Sequence, residues 1–209
     1  MVLVLDLGIS NVVSVKRMIK KVGYLDVKVS NSKEDISNCE KIILPGVGHY
    51  DAGVKALSRL DLIDFLPDLI RRKNISTLGI CLGAQLLLSH SEEGESLGLG
   101  LVEGHCKKFN KKLIGNFKIP NMGWLDTIFT KKSELVTGLK SESRFYFVHS
   151  YHFDLINEED QLCYSNYGYD FSSGFNYKNI FGVQFHPEKS HKYGMAIMRN
   201  FLKIDNEKN

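Results

Sequence analysis

The chemistry that this sequence could perform centres on Cys81, which lies in the pentapeptide Gly79–Gly83 (Gly-Ile-Cys-Leu-Gly). A nucleophile flanked at two residues on either side by glycine is typical of a nucleophile elbow, a sharp strand-to-helix turn that exposes the reactive side chain. The N-terminus of the following helix favours the thiolate, and the backbone N–H of Leu82 would point at an oxyanion. The pentapeptide therefore predicts a nucleophilic cysteine. A small buried core cysteine is the alternative interpretation.

A histidine and a glutamate near the C-terminus supply the partners that cysteine chemistry requires. His186 lies in Gly182–Glu188 (Gly-Val-Gln-Phe-His-Pro-Glu), just after an apolar strand. An extended segment would project His186 and Glu188 to the same side, and Pro187 should keep the segment extended and prevent a helix. A carboxylate beside an imidazole fixes its tautomer and stabilises the imidazolium. The sequence thus predicts a triad of Cys81, His186 and Glu188, whereas a strand end with a surface histidine is the alternative.

The segment Leu44–Gly48 (Leu-Pro-Gly-Val-Gly) follows a predicted strand and should lie beside the cysteine turn at the same edge of the sheet. Its two glycines give a flexible backbone that can turn N–H groups toward a substrate carbonyl. An ordinary strand-to-helix turn has the same composition. The segment is therefore a candidate oxyanion loop only in combination with the cysteine and histidine motifs.

The elements that would position these residues alternate between strand and helix in the first half of the chain. The predicted strands there are Val2–Leu5, Val27–Val29, Lys41–Leu44 (ended by Pro45-Gly46) and Ser76–Ile80, and the predicted helices are Val12–Val22, a region within Ala52–Lys73, and Leu82–His90. This alternation predicts an α/β fold whose central sheet is parallel and flanked by helices. The second half predicts additional antiparallel strands at Glu103–Phe109, Phe145–Tyr151, Leu162–Tyr167, Gly174–Asn176 and Ile180–Phe185, and a last helix at Tyr193–Leu202.

The composition indicates one globular domain that spans residues 1–209. A net charge of +3 is too small to indicate a nucleic-acid partner. None of the four cysteines forms a C-x-x-C pair, so no metal site is predicted. The N-terminal apolar run stops at Asp6, and no window reaches the roughly 18 apolar residues that span a bilayer. We therefore expect a cytoplasmic protein with reduced thiols and no membrane contact.

The cysteine motif, the histidine–glutamate motif and the loop Pro45–Gly48 together resemble class I, triad-type glutamine amidotransferases. The resemblance spans nearly the whole chain and implies a flavodoxin-like α/β fold, a mixed central sheet and no cofactor. It also implies the reaction. Cys81 attacks the side-chain amide of L-glutamine, His186 transfers a proton to the leaving ammonia, and Glu188 orients His186.

The resemblance further implies roles for residues around the triad. The oxyanion would be held by the backbone N–H groups of Leu82 and of a reoriented Val47. Residues implied to bind glutamine are Gly46, Gly48, Gln85, His149, Ser150 and Tyr151. Residues implied at a partner-facing surface are Asn11, Trp124, Tyr146 and Lys189.

Within this family, the chain resembles subunits that pass ammonia to a separate (β/α)8-barrel cyclase in histidine biosynthesis. The similar motifs are Asn121–Trp124, Tyr146–Tyr151 and His186–Ser190. The resemblance implies a heterodimer with such a cyclase, with ammonia crossing through a channel. A second interpretation stays open, because Glu188–Gly194 resembles related subunits that supply a sugar-modifying amidotransferase in surface polysaccharide synthesis.

Three positions depart from the family pattern. Ser10 stands where the first loop often has glycine, Asn121 where histidine often precedes Met-Gly-Trp, and Ala84 where methionine often precedes Gln85. None of them belongs to the triad, but they bear on the partner-facing surface. The reaction is therefore predicted more firmly than the identity of the partner protein.

Two other classes of protein predict different patterns. Thiol hydrolases of the α/β-hydrolase kind order their triad as nucleophile, acid and histidine, whereas here the acid follows the histidine. A non-catalytic binding subunit on the same fold predicts a broken triad, whereas all three residue types are present. Both alternatives therefore fit the sequence less well than a glutaminase.

Overall fold

The computed structural model describes residues 1–140 and 143–205. Within them, a mixed sheet forms the centre of the molecule. Its strands are β1 (Val2–Leu5), β2 (Val27–Ser30), β3 (Lys41–Gly46), β4 (Ser76–Cys81), β5 (His90–Ser91), β6 (Gly104–Lys108), β7 (Asn121–Phe129), β8 (Ser143–His149), β9 (Tyr151–Leu155), β10 (Gln161–Asn166), β11 (Asp170–Tyr177) and β12 (Ile180–Val183). The predicted α/β class is confirmed.

Helices cover both faces of this sheet. They are α1 (Val12–Lys21), α2 (Lys33–Ser37), α3 (Tyr50–Arg59), α4 (Phe65–Lys73), α5 (Leu82–Leu86) and α6 (His191–Lys203). The first helix begins where the sequence predicts, because the side-chain oxygen of Asn11 accepts a hydrogen bond from the backbone N–H of Ser14 at 3.1 Å. None of the helices in the described ranges combines the length and apolar character that crossing a lipid bilayer requires.

The sheet changes direction at β12. The strand order β2-β1-β3-β4-β12 is parallel throughout, and β12 then pairs antiparallel with β11. The antiparallel half continues through β10, β7 and β8, and a side branch of β9, β6 and β5 leaves from β11. The two predicted types of sheet therefore form one continuous layer, and β12 brings its C-terminal end beside that of β4.

The core lies on both sides of the sheet because the central strands β1, β3, β4 and β12 are buried at every position. In β1, Leu3 and Leu5 pack with the helices α3, α4 and α5, whereas Val2 and Val4 pack with α1 and α6. Successive strand residues point to opposite faces, so an uninterrupted apolar run fits a strand that is buried on both faces. This burial fixes the positions of the strand ends that carry the polar residues.

Several element boundaries differ from the prediction. The helix predicted to reach His90 ends at Leu86, because the carbonyl of Leu86 accepts from the N–H of Leu99 at 2.8 Å and the next residue, Leu87, accepts from Leu101 at 2.9 Å. The chain segment 97–102 thus uses the carbonyls that would continue the helix. Residues 90–91 form a strand instead.

Strand β3 continues through Pro45-Gly46, where the sequence predicted its end. A proline is tolerated there because the pairing of β3 with β1 stops at Ile43, so the missing N–H leaves no gap in that ladder. The predicted strand Phe145–Tyr151 is divided at Ser150 into β8 and β9. The sequence analysis also missed β7 and α2 altogether.

Candidate active site

The cysteine turn lies at the carboxyl ends of the neighbouring parallel strands β3, β4 and β12. Strand β4 ends at Cys81 and α5 begins at the next residue, so the strand passes directly into the helix. Cys81 has a φ of 54° and a ψ of -115°, a conformation that non-glycine residues rarely adopt. Such strain persists where the surroundings enforce it, and here it turns the side chain into a pocket.

Close approaches of the backbone explain the two glycines that flank Cys81. A β-carbon added at Gly83 would overlap the carbonyl oxygen of Leu44 in β3, and one at Gly79 would lie 2.5 Å from the Cα atom of Ala84 in α5. Side chains at either position would force the strands and the helix apart. The glycine spacing is therefore a packing requirement of the turn that presents the thiol.

His186 reaches the same edge of the sheet because it follows β12, the strand beside β4. Its backbone N–H donates to the carbonyl of Tyr146 at 2.9 Å, which anchors the residue to β8. The ring Nδ1–H donates to Oε1 of Glu188 at 2.8 Å, and the ring lines the same cavity as the Cys81 thiol. With Nδ1 used by the carboxylate, Nε2 is the nitrogen left for the sulfur. The structure thus brings the three predicted triad residues together.

The segment after His186 is not extended, so that part of the prediction was wrong. Pro187–Lys189 forms a short 3-10 helix, and His186 is the residue before it. Proline suits the first helical position, because its fixed φ matches a helix and its missing N–H would have no partner there. The turn brings Glu188 back onto the imidazole ring, so the contact forms by a different local geometry from the one expected.

The surroundings of His186 favour its protonated form. Burial by itself would lower the pKa of the imidazole, but hydrogen bonds and charge interactions with Cys81 and Glu188 outweigh burial and raise the pKa to about 10. The side chains of His186 and Glu188 are 3% and 7% exposed, so bulk water screens this pair little. The ring therefore carries a proton at neutral pH and can donate it.

A cavity of about 330 Å³ opens above the thiol and gathers most of the residues predicted to bind substrate. The predicted residues that line it are Val47, Gly48, Cys81, Leu82, Gln85, His149, Ser150, Tyr151, His186 and Lys189. Gly46 does not line the cavity. It packs against the start of α5, where a β-carbon would lie 2.8 Å from the backbone nitrogen of Gly83. Its contribution to the site is close packing beneath the loop.

Two residues line the cavity that the sequence analysis missed. Glu93 places a carboxylate there, and its Oε2 accepts a hydrogen bond from the backbone N–H of Tyr50 at 2.8 Å. Nothing local separates Glu93 from its neighbour Glu92, so only the folded chain identifies it. Val148 contributes its backbone, since its carbonyl accepts a hydrogen bond from the thiol of Cys81 at 3.8 Å.

The two predicted oxyanion donors differ in their present state. Leu82 is the first residue of α5, where a backbone N–H has no acceptor within the helix. The N–H of Val47 instead donates to the carbonyl of Ile9 at 3.1 Å. The neighbouring Gly48 has a φ of 105°, a conformation that favours glycine, and no atom would lie within 4 Å of an added β-carbon. The loop therefore has room to turn, and the Val47 N–H must leave Ile9 before it can face the cavity.

His149 is a neutral wall of the cavity. Burial is the main cause that lowers its pKa to about 3; the neighbouring His152 and His186 act in the same direction, and the Tyr151 carbonyl opposes them. Its Nδ1–H donates to that carbonyl at 2.7 Å, and its Nε2 accepts from the side-chain amide of Asn121 at 2.9 Å. The one ring proton is held by the Tyr151 carbonyl and the other nitrogen by Asn121, so neither nitrogen is placed to exchange a proton with a substrate.

Three of the four residues predicted at a partner-facing surface are in contact with one another. The ring of Tyr146 lies edge-on to Trp124 at 5.9 Å between centroids, and the Nζ of Lys189 lies 5.5 Å from the Tyr146 ring centroid. Trp124 also stacks on His191 at 5.3 Å, a partner that the sequence analysis missed. Asn11 is exposed at the start of α1, whose next turns line a groove together with Lys189 and His191.

Comparison with known sequences places these features in a family. The pattern of the family described as "Glutamine amidotransferase class-I" matches residues 3–204. A protein of Methanococcus maripaludis named "Imidazole glycerol phosphate synthase subunit HisH 2" is 46% identical, over 97% of this chain and 99% of that protein. A protein of Pseudomonas aeruginosa with the same name is 41% identical, over 98% of this chain and 100% of that protein.

Solved structures show the same fold at low sequence identity. One described as "Crystal structure of glutamine amidotransferase" has a TM-score of 0.75 and 20% identity, and covers 97% of both chains. Another, PurLQS from Thermotoga maritima, has a TM-score of 0.70 and 18% identity, and covers 96% of both chains. The family pattern spans nearly the full length of the sequence and the relatives align end to end, so the chain belongs to the class-I glutamine amidotransferase family, among the relatives of the HisH subunit.

Proposed function

We propose that this chain is the glutaminase subunit of an imidazole glycerol phosphate synthase, which hydrolyses L-glutamine and passes the ammonia to a cyclase subunit. The observation that carries the proposal is the convergence of Cys81, His186 and Glu188 at a cavity at the strand ends, with His186 hydrogen-bonded to Glu188. A strained nucleophile, a base and an orienting carboxylate in contact are the parts that acyl transfer from an amide requires.

The reaction proceeds in two acyl-transfer steps. The sulfur of Cys81 attacks the side-chain carbonyl carbon of glutamine, and the carbonyl oxygen becomes an oxyanion. Cleavage of the C–N bond takes the proton of His186 to the leaving nitrogen, which departs as ammonia and leaves a γ-glutamyl thioester. His186 then accepts a proton from a water molecule that attacks the thioester. Glutamate leaves, and the sulfur and the imidazolium return to their starting state.

The cavity residues suit the amino-acid end of glutamine. The Glu93 carboxylate faces the cavity and would pair with the substrate's ammonium group. The backbone of Ser150 and Tyr151 and the side chain of Gln85 would bind the remaining polar groups, as the family resemblance implies. His149 is neutral and would close the pocket without competing for protons.

The oxyanion loop would act as a gate. One donor, the N–H of Leu82, is supplied by the start of α5, whereas the N–H of Val47 is bonded to Ile9 at 3.1 Å. A single donor stabilises the oxyanion less than two, and loss of one donor costs about a hundredfold to a thousandfold in rate. We therefore propose slow glutamine hydrolysis by the chain alone and faster hydrolysis when a partner turns the loop.

The proposed partner is a (β/α)8-barrel cyclase. The relatives are named as subunits of imidazole glycerol phosphate synthase, which supports a role in histidine biosynthesis beside a second chain. The contiguous side chains of Trp124, Tyr146 and Lys189 offer that chain an aromatic and cationic docking surface. None of the quoted names mentions sugar modification, so the second interpretation of the sequence is not favoured. Free thiols at all four cysteines support the cytoplasm as the proposed compartment.

Reconstitution tests this proposal directly. The purified chain is mixed with a barrel cyclase from the same organism, and glutamate release is measured with and without the cyclase's own ligand. We expect a stable complex and at least a tenfold stimulation of glutamine hydrolysis. A chain that forms no complex with the cyclase, but copurifies with a sugar-modifying amidotransferase, would contradict the assigned pathway and leave the glutaminase chemistry intact.

A further inference from the structure

Gln184 lies directly behind the nucleophile, yet neither the triad nor the substrate pocket uses it. Its side chain is fully buried, at 0% exposure, two residues before His186. The amide Nε2 lies 3.6 Å from the sulfur of Cys81, and the amide Oε1 lies 3.1 Å from the Nε2 of Gln85. A buried amide with both ends engaged has one orientation, and that orientation decides whether the sulfur meets a donor or an acceptor.

The backbone carbonyl of Tyr151 sets the orientation. A carbonyl oxygen can only accept, and the Nε2 of Gln85 lies 3.4 Å from it, so this end of Gln85 must be the amide N–H₂. The same N–H₂ group therefore faces Gln184, which must present its oxygen in return. The remaining end of Gln184 is its N–H₂, and it points at Cys81.

The carbonyl of Tyr151 accepts a second hydrogen bond, from His149, which holds it in place. The Nδ1–H of His149 donates to Tyr151 at 2.7 Å, and the amide of Asn121 donates to the Nε2 of His149 at 2.9 Å. A pKa of about 3 keeps His149 neutral, so this tautomer persists across the working pH range. Asn121, the first residue of β7, thus donates to His149, and His149 donates to the carbonyl of Tyr151. Gln85 donates to the same carbonyl and to Gln184, and Gln184 donates to the sulfur.

We propose that Gln184 is a positioning residue for the nucleophile, whose amide N–H donates to the sulfur of Cys81 and stabilises it as the thiolate. This inference rests on the proposed glutaminase function. The thiol can donate its own proton to the carbonyl of Val148 at 3.8 Å, and that contact is lost once the proton leaves. The Gln184 donor remains and strengthens with the charge, because hydrogen bonds to ionised acceptors are about twice as strong as neutral ones. Gln184 would therefore favour the reactive state of Cys81.

The test replaces Gln184 with side chains of similar size. Gln184→Met removes the donor, and Gln184→Glu replaces the amide with a carboxyl group. The rate of Cys81 alkylation by iodoacetamide is measured by peptide mass spectrometry from pH 5 to 10, on the full chain without glutamine. We expect alkylation near pH 7 to slow about tenfold in Gln184→Met and further in Gln184→Glu, with both pH profiles moved to higher pH. In the reconstituted complex, kcat should fall by a similar factor while KM changes little.

A second variant keeps the inference testable if the buried position does not tolerate change. Gln85→Leu removes the group that orients Gln184 but leaves Gln184 in place, and we expect alkylation to slow less than in Gln184→Met. Thermal unfolding midpoints identify variants that lose the fold. Folded variants that keep the wild-type pH profile of alkylation would overturn the inference and leave the glutaminase untouched. A wild-type complex without glutaminase activity would overturn the proposed function, whereas the alkylation profiles would still test the Gln184 contact.

Discussion

Cys81 and Cys163 are buried thiols in one sheet, but their surroundings differ. Cys81 lies in the parallel half of the sheet and Cys163 in the antiparallel half. Cys81 ends β4 in a strained turn and has His186, Gln184 and the carbonyl of Val148 as polar neighbours. Cys163 lies inside β10, and burial raises its pKa to about 12 despite a hydrogen bond from the hydroxyl of Ser173 at 3.5 Å. Burial alone therefore suppresses a thiol. A reactive thiol needs the polar groups that gather where parallel strands end.

The difference follows from the geometry of the two halves. Parallel strands bring their carboxyl ends and the following helix N-termini to one edge, where backbone donors and space for a ligand coincide. Within the antiparallel half, neighbouring strands pair along their length and aromatic side chains fill the layer, as in the stack of Phe145 on Phe185 at 3.9 Å. This half supplies the cavity wall at His149 and the surface around Trp124. The cysteine turn and the proposed docking surface thus have separate structural origins.

The largest expected effect comes from replacing one cysteine in each half of the sheet with alanine and comparing the two variants. Cys81→Ala should lower glutamine hydrolysis by the reconstituted complex roughly ten-thousandfold, because the covalent intermediate can no longer form. Cys163→Ala should keep kcat within about threefold and lose only about 1 kcal/mol of stability, as for an ordinary core contact. Ammonium-driven synthesis by the partner serves as the control, and Cys81→Ala should leave it intact. Loss of both reactions in Cys81→Ala would mean that this cysteine has a structural role.

The next effect concerns which thiol reacts. A glutamine-like electrophile should label Cys81 at least about a hundredfold faster than the other thiols at pH 8, because a pKa three units above the pH leaves about one thiolate in a thousand. Burial raises the pKa of Cys39 to about 11 and that of Cys163 to about 12, and it raises that of Cys106 well above its ordinary range. Peptide mass spectrometry locates the label. Label on one of these three residues in the folded chain would contradict the contrast between the two halves.

A smaller effect sharpens the role of the carboxylate in the triad. The pKa of His186 is raised to about 10, so the imidazolium is present below this pH and lost above it, and kcat should fall as pH rises through about 10. Glu188→Gln removes the negative charge that favours the imidazolium, so the alkaline fall should move to lower pH. We expect kcat near pH 8 to drop about tenfold to a hundredfold, measured as a pH profile of glutamate release. An unchanged profile would show that Glu188 does not set the protonation of His186.

The smallest expected effect separates docking from chemistry. Trp124→Ala should weaken partner binding about tenfold to thirtyfold, since a half-buried aromatic residue in contact with two other rings is typical of a binding hot spot. Ile128→Ala, in the same strand and 38% exposed, is the matched control and should leave the affinity unchanged. Isothermal titration calorimetry with the barrel cyclase measures both. Equal affinities for the two variants would place the docking surface elsewhere.

Local patterns were sufficient to predict the parallel core and the three residues, Cys81, His186 and Glu188, that converge at its edge. An uninterrupted apolar run such as Val2–Leu5 predicts a strand that is buried on both faces, and the elbow glycines are required because the strand, the turn and the helix approach closely there. The sequence analysis did not predict β7. Its buried and exposed residues alternate only in part, so the strand lacks a clear two-residue pattern. It also predicted an extended Pro187 where a 3-10 helix forms, because proline suits both conformations.

The sequence by itself determined the kind of chemistry and the fold class, because both depend on residue types at short spacing. Only the tertiary structure decided which groups surround the sulfur. Glu93 was not marked by its local sequence, and the motifs that contain Gln184, Asn121 and His149 do not show that Gln184 faces the sulfur or that Asn121 pairs with His149. The structure also decided the present state of the oxyanion loop, since the bond from Val47 to Ile9 joins segments that meet only when β1 and β3 pair. Such contacts form between residues distant in the chain, so no local pattern can encode them.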